Sequence, residues 1–160
     1  MNSIEIIAVG SVHRGYLDDG WREYIKRLQP LCRFSVTEIP EQKLVSDDEA
    51  GREKVIEAEG ERILRQLSSR QGACVAAMCI EGKQMSSEKL AEMFKELEPS
   101  GQRIVFVIGG SLGLSDEVKR RADIRMSMSE MTFPHQMARL MLLEQIYRAQ
   151  TIISGIKYHK

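Results

Sequence analysis

The chain has 160 residues with 23 basic and 23 acidic side chains, so its formal net charge is zero. No overall field attracts nucleic acid or a membrane surface, which argues against a nonspecific nucleic-acid coat protein, whose affinity comes from many phosphate contacts. A chain of this length fits one domain that buries roughly two thirds of its unfolded surface. We therefore expect a single domain over residues 1–160.

The N-terminus and the cysteines indicate the compartment. The opening run MNSIEIIAVG contains Glu5 and no basic segment, so we do not expect a signal peptide. The longest uncharged apolar run, GACVAAMCI, is far shorter than the roughly 20 residues of a membrane span. The three cysteines form no Cys-x-x-Cys motif and have no partnering histidines, which argues against disulfides and metal sites. The chain is predicted to be cytoplasmic, with no metal and no membrane partner.

Apolar runs alternate with amphipathic stretches along the chain. The predicted strands are residues 4–10, 34–39, 73–80, 103–108 and 124–129. The predicted helices are residues 16–28, 46–67, 87–97, 115–121 and 134–153. Ser46 and Glu49 have the spacing of a capping box at the start of the second helix. Strand then helix, repeated five times, predicts an α/β domain with a mainly parallel sheet and helices on both faces.

The fourth predicted strand runs directly into glycines, in the sequence IVFVIGGSLGLS. Glycines at a strand end usually let something approach the backbone closely. A dinucleotide fingerprint would need another glycine at the position of Ile108, and a P-loop would need Gly-Lys where Leu114 and Ser115 stand. The loop at Gly109 and Gly110 therefore predicts a ligand site that is neither a dinucleotide-binding site nor a P-loop.

Three loops are expected at one edge of the sheet, because ligands of open parallel sheets bind outside the carboxyl ends of the strands. They are MCIEGK at 78–83, GGSLGLS at 109–115 and MSEMTF at 128–133. Their side chains are mostly apolar, with Lys83 as the one cation. This character suits an adenine and a thioether or sulfonium better than a polyphosphate. The alternative is that these residues are ordinary core around a plain tight turn.

The last predicted helix is apolar on nearly all sides. Its apolar residues are Met137, Leu140, Met141, Leu142, Leu143, Ile146 and Tyr147. A helix of this kind is buried on more than one side, whereas we expect a small α/β domain to cover only one side of a terminal helix. A partner subunit, most simply in a two-fold homodimer, would cover the rest.

The histidines and the C-terminal tail are the remaining polar candidates. His13 follows the first strand, and His135 lies in the first turn of the last helix, where a polar side chain often only caps. In the tail, Tyr158 combines with Lys157 and Lys160 to offer the stacking and the phosphate contacts that RNA recognition needs. The alternative is a disordered tail without a role.

The motifs FVIGGSLGL, MTFPHQMARLMLLEQIYRA and the terminal YHK together resemble the RlmH family, the SPOUT-class methyltransferases of bacterial large-subunit ribosomal RNA. The likeness covers essentially the whole chain and includes AVG near the start, EGERIL in the second helix and IEGK after the third strand. One departure is Cys79, which stands where relatives often carry an acidic residue.

This resemblance implies an α/β fold with a trefoil knot in the C-terminal half, a homodimer, and S-adenosylmethionine as the cofactor. It also implies methylation of N3 of a pseudouridine in a stem-loop of 23S ribosomal RNA, on assembled ribosomes. Carried over by motif, the cofactor contacts fall on the three loops. These residues are Met78, Gly109, Gly110, Met128, Ser129, Glu130, Met131, Thr132 and Phe133.

Methyl transfer to a uracil-like N3 needs the loss of a proton, so a base or a charge stabiliser is expected within hydrogen-bond reach. His159 and Tyr158 are the leading candidates, and Arg139 or Arg148 would stabilise negative charge developing on the base. A second hypothesis is a non-catalytic ribosome-binding factor that retains the SPOUT fold. A third, a generic nucleotide-binding α/β enzyme, is disfavoured because both phosphate fingerprints are missing.

Overall fold

The computed structural model of the protein describes residues 1–12 and 15–160. His13, the histidine noted above after the first strand, and Arg14 lie outside the described residues. Strands and helices alternate along the chain. The strands are β1 (Ser3–Val9), β2 (Arg33–Ile39), β3 (Cys74–Gln84), β4 (Ile104–Ile108) and β5 (Ile124–Ser127). The helices are α1 (Tyr16–Leu28), α2 (Glu49–Ser68), α3 (Ser87–Leu97), α4 (Asp116–Arg121) and α5 (His135–Ile153).

The five strands form one parallel sheet in the order β2-β1-β4-β3-β5. One face packs against α1, α3 and α5, and its core includes Ile6, Phe106 and Leu142. The other face packs against α2 and α4, around Val107 and Ile63. The sequence-based prediction of an α/β fold with a parallel sheet covered by helices on both faces is confirmed.

The alternation of side chains along the central strands explains why their sequences are continuously apolar. Val75, Ala76 and Ala77 are fully buried, with Ala76 in one core and the other two in the opposite core. Because successive strand residues point to opposite faces, a strand between two helical layers has no face for polar residues. The edge strand β2, in contrast, alternates between exposed and less exposed residues.

Strand β3 is longer than predicted, because it pairs with β5 twice. Met126 of β5 aligns first with Met78 and then, after an irregularity, with Lys83. A Cβ on Gly82 would lie 2.5 Å from the carbonyl carbon of Met126, so only glycine permits this close approach. The predicted knot in the C-terminal half stays a prediction.

The start of α2 differs from its predicted cap. Asp48, and not Ser46, is the N-cap, and its carboxylate accepts a hydrogen bond from Gly51 N at 2.7 Å. The capping box of Ser46 and Glu49 is therefore wrong. A carboxylate is a strong acceptor for the free N–H groups of a first turn, and Asp48 directly precedes the helix.

Helix α5 lies between α1 and α3 on its face of the sheet, and none of its residues is fully exposed. Leu142, Leu143 and Ile146 are completely buried. The expectation that the chain covers only one side of this helix is wrong, because two neighbouring helices cover its flanks. Among the described residues, no helix has the length and apolar character needed to cross a membrane.

Candidate functional site

A cleft of about 360 Å³ opens at the carboxyl edge of the sheet. Its walls come from the middle of β3, the loop after β4, the segment after β5 and the start of α5. The three strands run parallel and are neighbours, so the segments that follow them converge at one edge. The three segments singled out from the sequence are therefore brought together, although residues 78–83 belong to β3 and are not a loop.

Eight of the nine residues predicted to contact a cofactor line this cleft. They are Met78, Gly109, Gly110, Met128, Ser129, Met131, Thr132 and Phe133. Glu130 is exposed and does not line the cleft. The lining also includes Ile80, Leu112 and Leu114, so the walls are largely apolar. That these residues bind a cofactor stays a prediction.

The turn after β4 needs glycine at positions 109 and 110 because neighbouring atoms of the chain leave little space for a side chain. A Cβ on Gly109 would lie 2.6 Å from the carbonyl carbon of Gly113, and one on Gly110 would lie 3.0 Å from Glu59 Oε1. Gly113, at φ 84°, donates its N–H to Gly110 O at 3.1 Å and closes the turn. The expectation that these glycines make room for a ligand needs correction, since the space beside Gly109 is filled by the chain itself. The backbone of this tight turn nevertheless forms a wall of the cleft.

The segment after β5 is shaped by two serines. Ser127 Oγ donates to Ser129 O at 2.9 Å and accepts from Ser129 N at 3.2 Å. Ser129 Oγ in turn accepts from Met131 N at 3.0 Å. These bonds replace the ladder bonds that end with β5, and they fix the backbone of the segment where it lines the cleft.

The cation at the cleft is Lys119, and not Lys83 as the sequence suggested. Lys119 lies on α4 and forms an ion pair with Glu81, which also lines the cleft. Their contact lowers the pKa of Glu81, mainly through the hydrogen bond from Lys119. Cys79 lies beside Glu81, and burial raises the pKa of its thiol, so Cys79 is protonated at neutral pH. Among the described residues, the cleft lining therefore includes one carboxylate and one ammonium.

His135 is a lining residue that sequence reasoning missed. It does not cap α5, since the N-cap is Pro134 and no side-chain cap bond forms. Its Nε2 lies 3.3 Å from Glu41 Oε1 but has no hydrogen-bond partner among the described residues. Nothing in the local sequence around His135 marks it as a lining residue, because its place at the cleft depends on how α5 packs against the sheet.

Arg139 was predicted to stabilise charge on the substrate, but its side chain is completely buried. Its Nη1 donates to Gly10 O and its Nη2 to Glu38 Oε1, both at 2.9 Å. The guanidinium also lies 5.0 Å from the ring centroid of Trp21. These contacts connect α5 to the end of β1. Arg139 would have to break its hydrogen bonds with Gly10 and Glu38 before it could contact a substrate.

The other three predicted catalytic residues form one cluster at the opposite end of α5. Arg148 lies over the ring of Tyr158, 4.7 Å from its centroid, and its Nη1 is 3.4 Å from His159 Nδ1. His159 Nε2 lies 2.9 Å from Glu88 Oε1 on α3. The tail is therefore docked on its own chain and not frayed.

The cleft and the tail cluster lie at different positions along α5. His135 lines the cleft at the first residue of α5, and Arg148 lies near the end of the same helix. The cleft lining reaches Ala138, and Tyr158 bonds to Glu144, so a rise of 1.5 Å per residue puts these two points of α5 about 9 Å apart along the axis. None of the tail-cluster residues Arg148, Tyr158 and His159 lines the cleft of its own chain.

Comparison with known proteins identifies this architecture. A family model described as "Predicted SPOUT methyltransferase" matches residues 2–159. The chain belongs to the SPOUT methyltransferase family. Among SPOUT relatives, a protein of Carboxydothermus hydrogenoformans named ribosomal RNA large subunit methyltransferase H is 46% identical over 98% of this chain and 99% of its own. A protein of the same name from Pelotomaculum thermopropionicum is 47% identical, with 99% of each chain covered. The resemblance to the RlmH family is thereby confirmed.

Solved structures share the SPOUT fold at low sequence identity. A probable methylase family protein from Haemophilus influenzae matches with a TM-score of 0.57 at 14% identity, covering 99% of this chain and 71% of its own. A Legionella pneumophila protein assigned as a methyltransferase, solved with bound SAM, matches with a TM-score of 0.50 at 12% identity. That match covers 92% of this chain and 66% of the other. At these identities the likeness shows the fold alone.

Proposed function

We propose that this protein transfers the methyl group of S-adenosylmethionine to N3 of a pseudouridine in large-subunit ribosomal RNA, acting on assembled ribosomes in the cytoplasm. The observation that carries the proposal is the carboxyl-edge cleft. It is built from the middle of β3 and the segments after β4 and β5. The chain is a SPOUT chain whose relatives, at 46% and 47% identity, are named ribosomal RNA large subunit methyltransferase H.

The residues present fit S-adenosylmethionine. The cleft volume of about 360 Å³ lies in the range of small-molecule sites. Apolar walls from Met78, Met128 and Phe133 suit an adenine ring and a thioether chain, since they offer no charge to either. The turn from Gly109 to Gly113 lines the cleft with backbone groups, and the lining also includes Glu81 and Lys119 for polar ends. We therefore propose the eight predicted lining residues as cofactor contacts, whereas Glu130 has support from the resemblance alone.

When bound, S-adenosylmethionine would supply an electrophilic methyl group to N3, with the sulfur as leaving group. The N3 proton would pass to a base, for which His159 is the candidate, and the rest of the task of the protein is mostly positioning. The cleft holds the donor and excludes water from it. The tail cluster contacts the RNA base. In this cluster burial, assisted by Tyr24 and Glu144, raises the pKa of Tyr158, so its phenol stays protonated and serves to stack or to donate a hydrogen bond. Arg148 is the cation that offsets negative charge on the base.

The separation of the tail cluster from the cleft lining supports a homodimer in which the two parts come from different chains. None of Tyr158, His159 and Arg148 lines the cleft of its own chain. A two-fold partner would bring its own Tyr158, His159 and Arg148 to the cleft. The same pairing would form two equivalent sites, because a two-fold interface is self-complementary.

The test is single-turnover transfer of labelled methyl from S-adenosylmethionine to ribosomes that lack the modification, followed by mass spectrometry of the ribosomal RNA. The proposal expects one methyl group on one pseudouridine, at N3. Methylation of a different base, or of protein, would contradict the substrate assignment. Naked ribosomal RNA is the comparison that tests the need for the assembled ribosome.

A non-catalytic ribosome-binding factor is the alternative from a different class. Calorimetric titration separates it from an enzyme, because such a factor need not retain affinity for the methyl donor. Binding of S-adenosylmethionine together with label transfer supports the enzyme. Binding to ribosomes without either result would support the factor.

A further inference from the structure

Glu144 lies on α5 at the centre of the tail cluster, half-buried, with its two oxygens fully engaged. Its Oε1 accepts from Tyr158 Oη at 3.0 Å and from Arg148 at 2.6 Å (Nη2) and 3.0 Å (Nε). Its Oε2 accepts from Gln145 Nε2 at 2.7 Å. One carboxylate therefore holds both the tail tyrosine and the arginine that face the proposed RNA base.

The direction of the hydrogen bonds follows from which groups can donate. A carboxylate only accepts, so the Tyr158 hydroxyl donates to Glu144. Tyr24 Oη lies 3.2 Å from Tyr158 Oη and must therefore be the donor in that contact. The resulting chain runs from α1 through the tail to α5. Aromatic contact with Tyr147, at 4.8 Å between ring centroids, fixes the ring of Tyr158 from the side.

The same carboxylate acts on His159 through Arg148. Two hydrogen bonds from Arg148 to Glu144 hold the guanidinium so that Nη1 faces His159 Nδ1 at 3.4 Å. A guanidinium only donates, so Nδ1 accepts, and the ring proton is assigned to Nε2, which faces Glu88 Oε1 at 2.9 Å. In this arrangement both ring nitrogens of His159 have a partner.

We propose that Glu144 is a positioning residue of the methyl transfer. It fixes Tyr158 and Arg148, and through Arg148 the tautomer of His159, in the pose that meets the RNA base, and it does not touch the base itself. The inference rests on the proposed function and extends that function by naming the group that orders the tail. The competing explanation is an ordinary helix ion pair at i,i+4 spacing, as Asp18 and Arg22 form on α1.

The test uses the full-length Glu144→Ala variant, in which alanine keeps the helix intact, with Asp18→Asn as the control that breaks an i,i+4 pair away from the tail. Glu144→Ala should leave the affinity for S-adenosylmethionine unchanged and slow single-turnover transfer by about tenfold to a hundredfold, the scale on which misplaced groups are felt. The control should keep the wild-type rate. Equal rates for both variants and the wild type would overturn the inference.

A double-mutant cycle with Tyr158→Phe separates positioning from general stabilisation. If Glu144 acts through the Tyr158 hydroxyl and the groups ordered with it, the two losses should not add. Fully additive losses would contradict the inference. Amide hydrogen exchange of residues 156–160 gives a readout that needs no activity. Faster exchange in Glu144→Ala than in Asp18→Asn supports the inference, and unchanged exchange overturns it. The exchange result does not depend on activity, so it distinguishes the two proposals. A wild type that transfers no methyl group would by itself overturn the proposed function.

Discussion

At the scale of single residues, the turn after β4 shows how a missing side chain shapes the cleft. The nearest atoms to a Cβ on Gly109 would belong to Gly113 and Leu114, all within 3.0 Å. Gly113 adopts φ 84°, a left-handed conformation that favours glycine. The cleft wall at this point is therefore a consequence of how tightly the turn closes on itself.

The first prediction follows from that contact. Gly109→Ala should lower the free energy of unfolding by about 1–3 kcal/mol, because the added methyl group has no space without a backbone shift. The affinity for S-adenosylmethionine should fall with it, since the displaced turn lines the cleft. Thermal unfolding and calorimetric titration measure the two effects. Glu57→Ala, at an exposed position of α2 that does not line the cleft, is the control. Lost affinity at full stability would instead restore the view that the glycine makes room for the ligand.

The second residue-scale prediction concerns Glu5, which is 2% exposed at the amino end of the sheet. Burial by itself would raise the pKa of Glu5, but hydrogen bonds from Arg70 and Thr37 outweigh it, and the pKa is lowered from the ordinary 4.5. A carboxyl whose folded pKa is depressed stabilises the protein above its unfolded pKa. That contribution is lost as the pH falls through the lower, folded value.

Glu5→Gln should therefore flatten the acid side of the stability profile below about pH 4.5. At pH 7 it should cost about 2 kcal/mol, the scale of hydrogen bonds to a charged group. Urea unfolding between neutral and acid pH measures both effects. Glu53→Gln, at an exposed position of α2, should leave the profile as it is. A wild-type slope in Glu5→Gln would show that other groups cause the acid sensitivity.

At the scale of elements, the end of α5 sets the direction of the tail. Ile156 N donates to Thr151 O at 2.9 Å and Gly155 N to Ile152 O at 3.3 Å, while Gly155 has φ 67°. This is a Schellman motif, which ends a helix and turns the following chain back along it. The turn brings Tyr158 and His159 against Glu144 and Arg148 of the same helix.

Truncation after Gly155 should separate the tail from the rest of the molecule. The buried contacts of α5 end before this point, so folding and cofactor affinity should change little. Methyl transfer to ribosomes should fall by about a hundredfold or more, the scale on which a misplaced reacting group is felt. Calorimetry and single-turnover transfer measure the two effects. Full activity in the truncated chain would show that the tail has no role in methyl transfer.

The elements themselves were predictable because their signals are local. Residues 16–28 and 87–97 show amphipathic periodicity closed by nearby breakers, and both helices have those bounds in the structure. The second half of β3 was not predictable, since its pairing with Met126 is a contact between distant segments. The cap of α2 was misassigned because several good capping residues stand close together, and only the backbone geometry selects Asp48.

The same limit applies to the candidate site. The loops of the cleft were predictable from the rule that ligands meet the carboxyl ends of parallel strands. Lys119 and His135 were not, because each comes from a helix whose approach to the cleft depends on tertiary packing. The burial of Arg139 was also beyond sequence reasoning, since arginine is mostly exposed and its partners here lie far along the chain.

At the scale of the whole molecule, two separated parts have to meet for the proposed reaction. The cleft lies at the first turn of α5, and the tail cluster contacts the same helix further along, at Glu144 and Arg148. Within one chain α1 and α3 flank α5, so the apolar character of α5 does not by itself indicate a partner subunit. The proposed homodimer rests instead on the site, since the proposal has a second copy supply the tail to the cleft.

Complementation between two inactive variants tests this claim most directly. Ile80→Trp fills the cleft from a half-exposed lining position and should abolish cofactor binding while leaving the tail intact. The chain truncated after Gly155 keeps the cleft and lacks the tail. Each variant alone should be inactive on ribosomes. After mixing and subunit exchange, about a quarter of wild-type transfer should return, because half of the dimers are mixed and each carries one intact site. No recovery, although light scattering and mass spectrometry show mixed dimers, would contradict a site built from two chains.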